Sequence, residues 1–151
     1  MPAHPPSVDV RPATGPDEFP ALVRIWRSAV EATHDFLTPA DVDGYVAPIL
    51  DDYLPALEVL VATVDDEPVG FVALDGDQVE MLFVDAARHG QGIGSVLMGH
   101  VVARHPAVTV DVKEQNPGAL AFYRRQGFEV VGRSPLDGEG RQFTLLHLRR
   151  G

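Results

Sequence analysis

The stretch from Gln78 to Ser95 constrains the fold of this chain more than any other. Gln78-Val79-Glu80-Met81-Leu82-Phe83-Val84 reads as a strand, and Arg88-His89-Gly90-Gln91-Gly92-Ile93-Gly94-Ser95 follows as a loop with three alternating glycines. That loop opens a helix expected from about Ile93 to His105, stopped by Pro106. Glycine lets the backbone approach a ligand closely and turn its N–H groups toward it. The helix start adds orphan donors and a partial positive charge. Together they make an anion site suited to a pyrophosphate. Glycine spacing alone also fits a plain tight turn. A P-loop needs Gly-Lys-Ser/Thr, but Gly94 is followed by Ser95-Val96. A dinucleotide fingerprint needs G-x-G-x-x-G, and this loop is G-x-G-x-G. Asp111 stands where a ribose-binding acid belongs, yet too little chain follows it for a doubly wound sheet.

Upstream, Val8 to Arg11 alternates as a short first strand. A helix is expected from about Asp17, with Phe19, Leu22, Val23, Trp26, Val30 and Thr33 on its buried face. Thr38-Pro39 reads as a cap and first turn of a second helix, whose apolar face is Val42, Tyr45, Val46, Ile49 and Tyr53 and which Pro55 ends. Leu57 to Val64, Val69 to Leu74 and Gln78 to Val84 are joined by turns short enough for an antiparallel meander. Beyond the glycine loop come a strand over Val108 to Val112, a helix over Pro117 to Gln126, and strands over Phe128 to Ser134 and Gln142 to Leu148. The order β-α-α-β-β-β-α-β-α-β-β implies a mixed α/β sheet with helices on both faces.

A second signal is Asn116-Pro117-Gly118-Ala119-Leu120-Ala121-Phe122-Tyr123-Arg124-Arg125-Gln126-Gly127-Phe128. Asn116 opens a helix, and Gly127 fits a left-handed cap at its end. Phe122 and Phe128 read as core. Tyr123 reads either as core or as a polar handle whose hydroxyl needs a partner. The glycine loop resembles the R/Q-x-x-G-x-G/A motif of the GNAT superfamily of N-acetyltransferases, and the second stretch resembles its N-x-x-A-x-x-F-Y-x-x-x-G-F motif. Their order, separation and flanking elements match too, so the resemblance covers nearly the whole chain. Ala32-Thr33-His34-Asp35-Phe36-Leu37 and Leu145-Leu146-His147-Leu148 look like a small bacterial branch that includes proposed peptidyl-lysine N-acetyltransferases. One departure is His89, where the family has Arg or Gln; it is expected to weaken phosphate contact without abolishing it.

The resemblance implies a mostly antiparallel sheet of about seven strands in which the strands ending at Val84 and Val112 splay apart. It implies acetyl-CoA as cosubstrate, with pantetheine against Leu82, Phe83 and Val84, pyrophosphate on His89, Gly90, Gln91, Gly92, Ile93, Gly94 and Ser95, and Asn116 beside the pantetheine arm. Tyr123 is the expected general acid and Glu80 the first candidate base, the other reading of Glu80 being a structural carboxylate. His34 and Asp35 fall in the family's substrate-gating connection, where His34 reads as a base or substrate contact or else as a capping or hydrogen-bonded histidine, and His147 on the last strand is a candidate to line the same pocket. The implied reaction passes acetyl directly to a primary amine, a protein lysine or a small molecule, in a ternary complex. A non-catalytic acyl-CoA-binding or sensing module is the alternative.

Composition bounds these readings. The 151 residues are one domain's worth, taken as a single domain over 1–151. The absence of cysteine removes disulfides, thiolate metal sites and an acyl-cysteine carrier. His100 and His105 are five apart and share no helix face, so no metal is expected. A net charge of −10 repels nucleic acid and favours approach of a cationic amine. No membrane-spanning run or signal peptide is visible, which fits a cytoplasmic monomer or homodimer.

Overall fold

A computed structural model describes residues 7–33, 38–135 and 144–151. In chain order these form β1 (Asp9–Pro12), α1 (Phe19–Thr33), α2 (Pro39–Pro48), a single turn α3 (Leu54–Ala56), β2 (Glu58–Val64), β3 (Glu67–Asp75), β4 (Gln78–Val84), α4 (Ile93–Arg104), β5 (Val108–Lys113), α5 (Pro117–Arg125), β6 (Glu129–Ser134) and β7 (Leu145–Arg150). The strands make one sheet in the order β1-β2-β3-β4-β5-β7-β6. Every neighbouring pair is antiparallel except β4 with β5, which is parallel.

Local chemistry accounts for the element boundaries. Thr38 Oγ1 accepts from the Asp41 amide at 3.1 Å, and the Asp41 carboxylate accepts from the Thr38 amide at 3.0 Å. This reciprocal capping box, with Pro39 at the first position, starts α2 where the sequence places it. The far end is less simple than a stop at Pro55. Ile49–Tyr53 forms a π-type turn before α3, and Tyr53, expected on the buried face, is 40% exposed. At the start of α1, Asp17 lies in a 3-10 turn (Pro16–Glu18) rather than in the helix itself. Arg11 of β1 pairs bidentately with Glu18 at 2.8 and 2.7 Å, tying strand to helix. The β2–β3 hairpin turns on Asp65 and Asp66, both at positive φ.

The sheet has a core on each face. On one side Leu60, Val72, Leu74, Val79, Val110 and Leu148 pack with Ile93, Leu97, Met98 and Val101 of α4 and with Tyr123 of α5. On the other, Val59, Val61, Phe71, Ala73 and Met81 pack with Leu22, Trp26 and Val30 of α1 and with Val42 of α2. Each fully buried side chain of this kind is worth about 1.5–3 kcal/mol. No helix among the described residues is long and apolar enough to cross a membrane.

Two irregularities in β4 open the sheet. Leu74 pairs with Val79 and Ala73 with Met81, so Glu80 is the extra residue of a β-bulge. Successive odd residues of a regular strand share a face. The bulge explains why Val79 enters the α4 core while Met81 enters the α1 core. On the other edge, β4 pairs with β5 only through Gln78 to Thr109 and Val79 to Val110. From Glu80 onward the two strands part.

Candidate active site

The parting of β4 and β5 creates a continuous cleft of about 1530 Å³, walled by α1 and α2, β4, the glycine loop, β5 and the first turns of α5. That exceeds the roughly 300–1,000 Å³ of a pocket for one drug-sized ligand.

The glycine loop closes one end. Gly90 and Gly92 have φ of +81° and +78°, and Gly92 is the left-handed residue that starts α4. A Cβ at either would meet no protein atom within 4 Å, so strain and not crowding keeps them glycine. A Cβ at Gly94 would lie 3.3 Å from two ring carbons of Phe122, so this glycine lets α4 approach α5. The first amide in α4 with a backbone partner is that of Val96, which donates to the Gly92 carbonyl. The amides of Gly90 through Ser95 have no backbone acceptor among the described residues. Six successive donors at a helix N-terminus fit a diphosphate. Gln91, unlike its neighbours, does not line the cleft.

His89 braces this loop. Its Nε2 lies 2.9 Å from the Val84 carbonyl at the end of β4. A carbonyl only accepts, so Nε2 carries the hydrogen and donates. Ser28 of α1 accepts from the Ala86 amide at 3.1 Å and so fixes the same turn from the opposite side. Gln126 donates to Ser95 Oγ at 2.9 Å, joining the end of α5 to the start of α4. The expectation that His89 contacts phosphate is thus joined by a structural task the sequence did not reveal.

Leu82, Phe83 and Val84 of β4 line the cleft together with Tyr123 and Asn116. Asn116 caps α5, its Oδ1 accepting from the Ala119 amide at 3.1 Å. The other end of α5 fixes Tyr123. Gly127 takes φ +93°, its amide donates to the Arg124 carbonyl, and the Phe128 amide donates to the Tyr123 carbonyl at 3.0 Å. These two bonds make a Schellman cap, whose usual apolar contact is the Tyr123–Phe128 ring pair at 5.3 Å. Tyr123 is buried among Phe122, Phe128 and the α4 core, and its hydroxyl has no hydrogen bond among the described residues. Burial pushes its phenol well above the ordinary tyrosine value, so it stays protonated.

Glu80 lines the open side of the cleft. Its carboxyl is raised above the usual carboxylate range, first by desolvation and then by the charges of Asp75 and Asp111. His147 does not line the cleft, but it contacts Asp111, which does. Sequence reasoning assigned Asp111 no role in this setting, because only the β4–β5 register brings it beside Glu80. His34 and Asp35 lie outside the described residues.

A parted parallel strand pair, a bared glycine loop at a helix start, and a buried tyrosine over the gap together define an acyl-transfer fold with one shared cleft. The chain belongs to the GNAT acetyltransferase family: the family model for the acetyltransferase (GNAT) domain matches residues 55–130. It is 43% identical over 133 residues to a Salmonella typhimurium protein named peptidyl-lysine N-acetyltransferase YjaB, covering 87% of this chain and 91% of that one. The solution structure of apo-form YjaB from Escherichia coli matches with a TM-score of 0.85 at 37% identity, over 95% of this chain and 97% of that one. A PaiA N-acetyltransferase from Thermoplasma acidophilum, solved in complex with coenzyme A, shares the fold with a TM-score of 0.76 at 15% identity, over 95% and 98% of the two chains.

Proposed function

We propose that residues 1–151 act as one catalytic domain that moves acetyl from acetyl-CoA directly to a primary amine, with a protein lysine as the preferred acceptor class. The observation that carries this reading is the row of six amides from Gly90 to Ser95 without a backbone acceptor among the described residues, on a loop that lines the same cleft as Tyr123. The identity shared with the peptidyl-lysine acetyltransferase of Salmonella supports the acceptor class.

Acetyl-CoA supplies the activated acyl group as a thioester and leaves a thiolate that must be protonated. The glycine-loop amides hold its diphosphate, with Arg88 and Arg125 close by on the cleft wall. The β4 edge beyond Glu80, left without a β5 partner, offers backbone groups to the pantetheine arm. Tyr123 presents its hydroxyl as the proton donor. A coenzyme thiol resembles a cysteine, with a pKa of about 8.5 against about 10 for tyrosine. Burial makes the phenol a weaker acid still, and it destabilises a thiolate in the same pocket too, so both groups are driven toward their protonated forms.

The acceptor must arrive without its proton. A lysine amine, with a pKa of about 10.4, pays roughly 4–5 kcal/mol to lose it at pH 7. Glu80, whose carboxyl is raised, is better matched to take it than an ordinary carboxylate.

The test is incubation with acetyl-CoA and a panel of lysine peptides, polyamines and amino acids, titrating the thiol released. The protein has no cysteine, so the coenzyme is the only thiol in the assay. Amine-dependent release is expected, with Tyr123→Phe losing about 100-fold in kcat while still binding acetyl-CoA. Equal turnover by the variant would remove Tyr123 as the acid. Tight acetyl-CoA binding without transfer to any amine would instead identify a sensing module.

A further inference from the structure

The chain holds a single lysine, and that residue lines its own cleft. Lys113 closes β5, in register with Leu145 of β7, which lines the cleft as well. Val108, Val110 and Val112 pack into the core beneath α4 and α5. Strand alternation therefore turns Thr109, Asp111 and Lys113 to the opposite face of the sheet. β4 and β5 pair only as far as Val79 and Val110, so Lys113 stands on the part of β5 that has left its neighbour. The Lys113 carbonyl accepts from the Asn116 amide at 2.9 Å, a turn that sets the lysine beside the residue capping α5.

These surroundings are those an acceptor of the proposed reaction needs. Asn116 and Tyr123 line the cleft on one side of Lys113, and Glu80 and Asp111 line it on the other. Asp111, two residues back on the same strand face, is near enough to Glu80 for its charge to act there. It is held in place by His147, whose Nδ1 lies 2.6 Å from Asp111 Oδ1 and whose Nε2 lies 2.6 Å from Ser134 Oγ on β6. Its other oxygen accepts from Gln78 at 3.4 Å. The lysine ammonium sits on a flexible four-carbon stem, so it sweeps the space around this fixed frame.

Resting on the reading above, we infer that Lys113 is a site of self-acetylation: its Nζ takes the acetyl group of acetyl-CoA bound in the same cleft of the same chain. The C–N bond forms between Nζ and the acetyl carbon as the C–S bond to the coenzyme breaks. The ammonium sheds two protons in becoming an amide; one ends on the coenzyme sulfur and the other passes to solvent. The cleft thereby loses its lysine cation and gains a neutral amide. A lysine that walls the cleft meets a coenzyme bound there at high effective concentration, which favours transfer within one chain. Half-buried at the end of a strand flanked by β7, it is poorly placed to enter the cleft of a second copy.

The test uses acetyl-CoA alone, with intact mass and peptide mapping as readouts. One acetyl group should appear on Lys113, with a first-order rate constant unchanged over about a tenfold range of protein concentration. A lysine peptide at about ten times its KM should slow this modification roughly tenfold, because the two amines use the same cleft. Tyr123→Phe, or unfolding the chain in urea, should slow it about 100-fold. Lys113→Arg, which keeps the cation, should leave position 113 unmodified. The peptide competition carries the test if Tyr123→Phe fails to fold. An unmodified Lys113 in protein that acetylates peptides overturns the inference, and so does a rate proportional to protein concentration or equal modification of the unfolded chain. Absence of transfer to peptides and to Lys113 alike overturns the parent reading instead.

Discussion

At the level of one residue, the role proposed for Glu80 sets function against stability. It sits in the bulge of β4, and its carboxyl is pushed up by desolvation first and by Asp75 and Asp111 second. A raised carboxyl in the folded state means that folding takes up a proton between the unfolded and folded titration ranges. Stability is therefore lost as pH rises through that window and stays lower above it. At neutral pH the charged Glu80 destabilises the fold slightly, while the same reluctance to hold charge suits the base role proposed for it. Glu80→Gln should raise Tm by about 1–2 °C at pH 7, a small gain because the side chain is half in water. That gain should disappear at a pH below the carboxylate range, where wild type is neutral too. The same variant should lose about 10–100-fold in kcat for an amine. Melting curves at two pH values beside steady-state kinetics check both arms, and a variant that is both less stable and fully active would remove Glu80 from the mechanism.

Among the elements, the start of α4 matters most, because one backbone conformation starts the helix and forms the proposed coenzyme site. Gly92 begins that helix at φ +78° with nothing within 4 Å of where a Cβ would stand. Gly92→Ala should cost about 1 kcal/mol through backbone strain and weaken acetyl-CoA binding by roughly tenfold, since the methyl enters the space beside the bared amides. Gly99 provides the contrast: it lies inside the same helix, also with open space, and Gly99→Ala should stabilise by about 0.5–1 kcal/mol without touching affinity. Denaturant melts and calorimetric titration separate the two. A Gly92→Ala protein with unchanged affinity would mean that the loop does not approach the coenzyme. The glycine loop, the Thr38 cap, the Gly127 cap and the order of strands and helices were legible in the sequence because each depends on residues within a few positions of one another. The bulge at Glu80 was not, since it is a mismatch between β3 and β4 that neither strand's pattern displays. Nor was the Asp111–His147–Ser134 chain, which exists only because β7 inserts between β5 and β6. Spacing of 36 and 13 residues carries no local signal for such contacts.

For the molecule as a whole, charge decides which acceptors it meets. The chain carries a formal −10, yet the cleft is not uniformly negative. Arg88 and His89 lie on the glycine loop and Arg125 in the last turn of α5, whereas Asp52, Asp75, Glu80 and Asp111 line the cleft elsewhere. Two arginines thus stand near the expected diphosphate, and four carboxylates, with Lys113 of β5 among them, line the rest of the cleft. A field of this kind concentrates a cationic acceptor near the mouth before any contact forms. Between two peptides with the same central lysine, the one flanked by arginines should have a KM roughly fivefold lower than the one flanked by glutamates at about 0.05 M ionic strength, with similar kcat. The preference should fall toward parity near 0.5 M, where screening confines charge effects to about 4 Å. Steady-state kinetics across a salt series reads the ratio directly. A preference that persisted unchanged in high salt would have to come from short-range contacts inside the cleft, and a preference for the acidic peptide would mean that the carboxylates at Asp75, Glu80 and Asp111 do not face the acceptor at all.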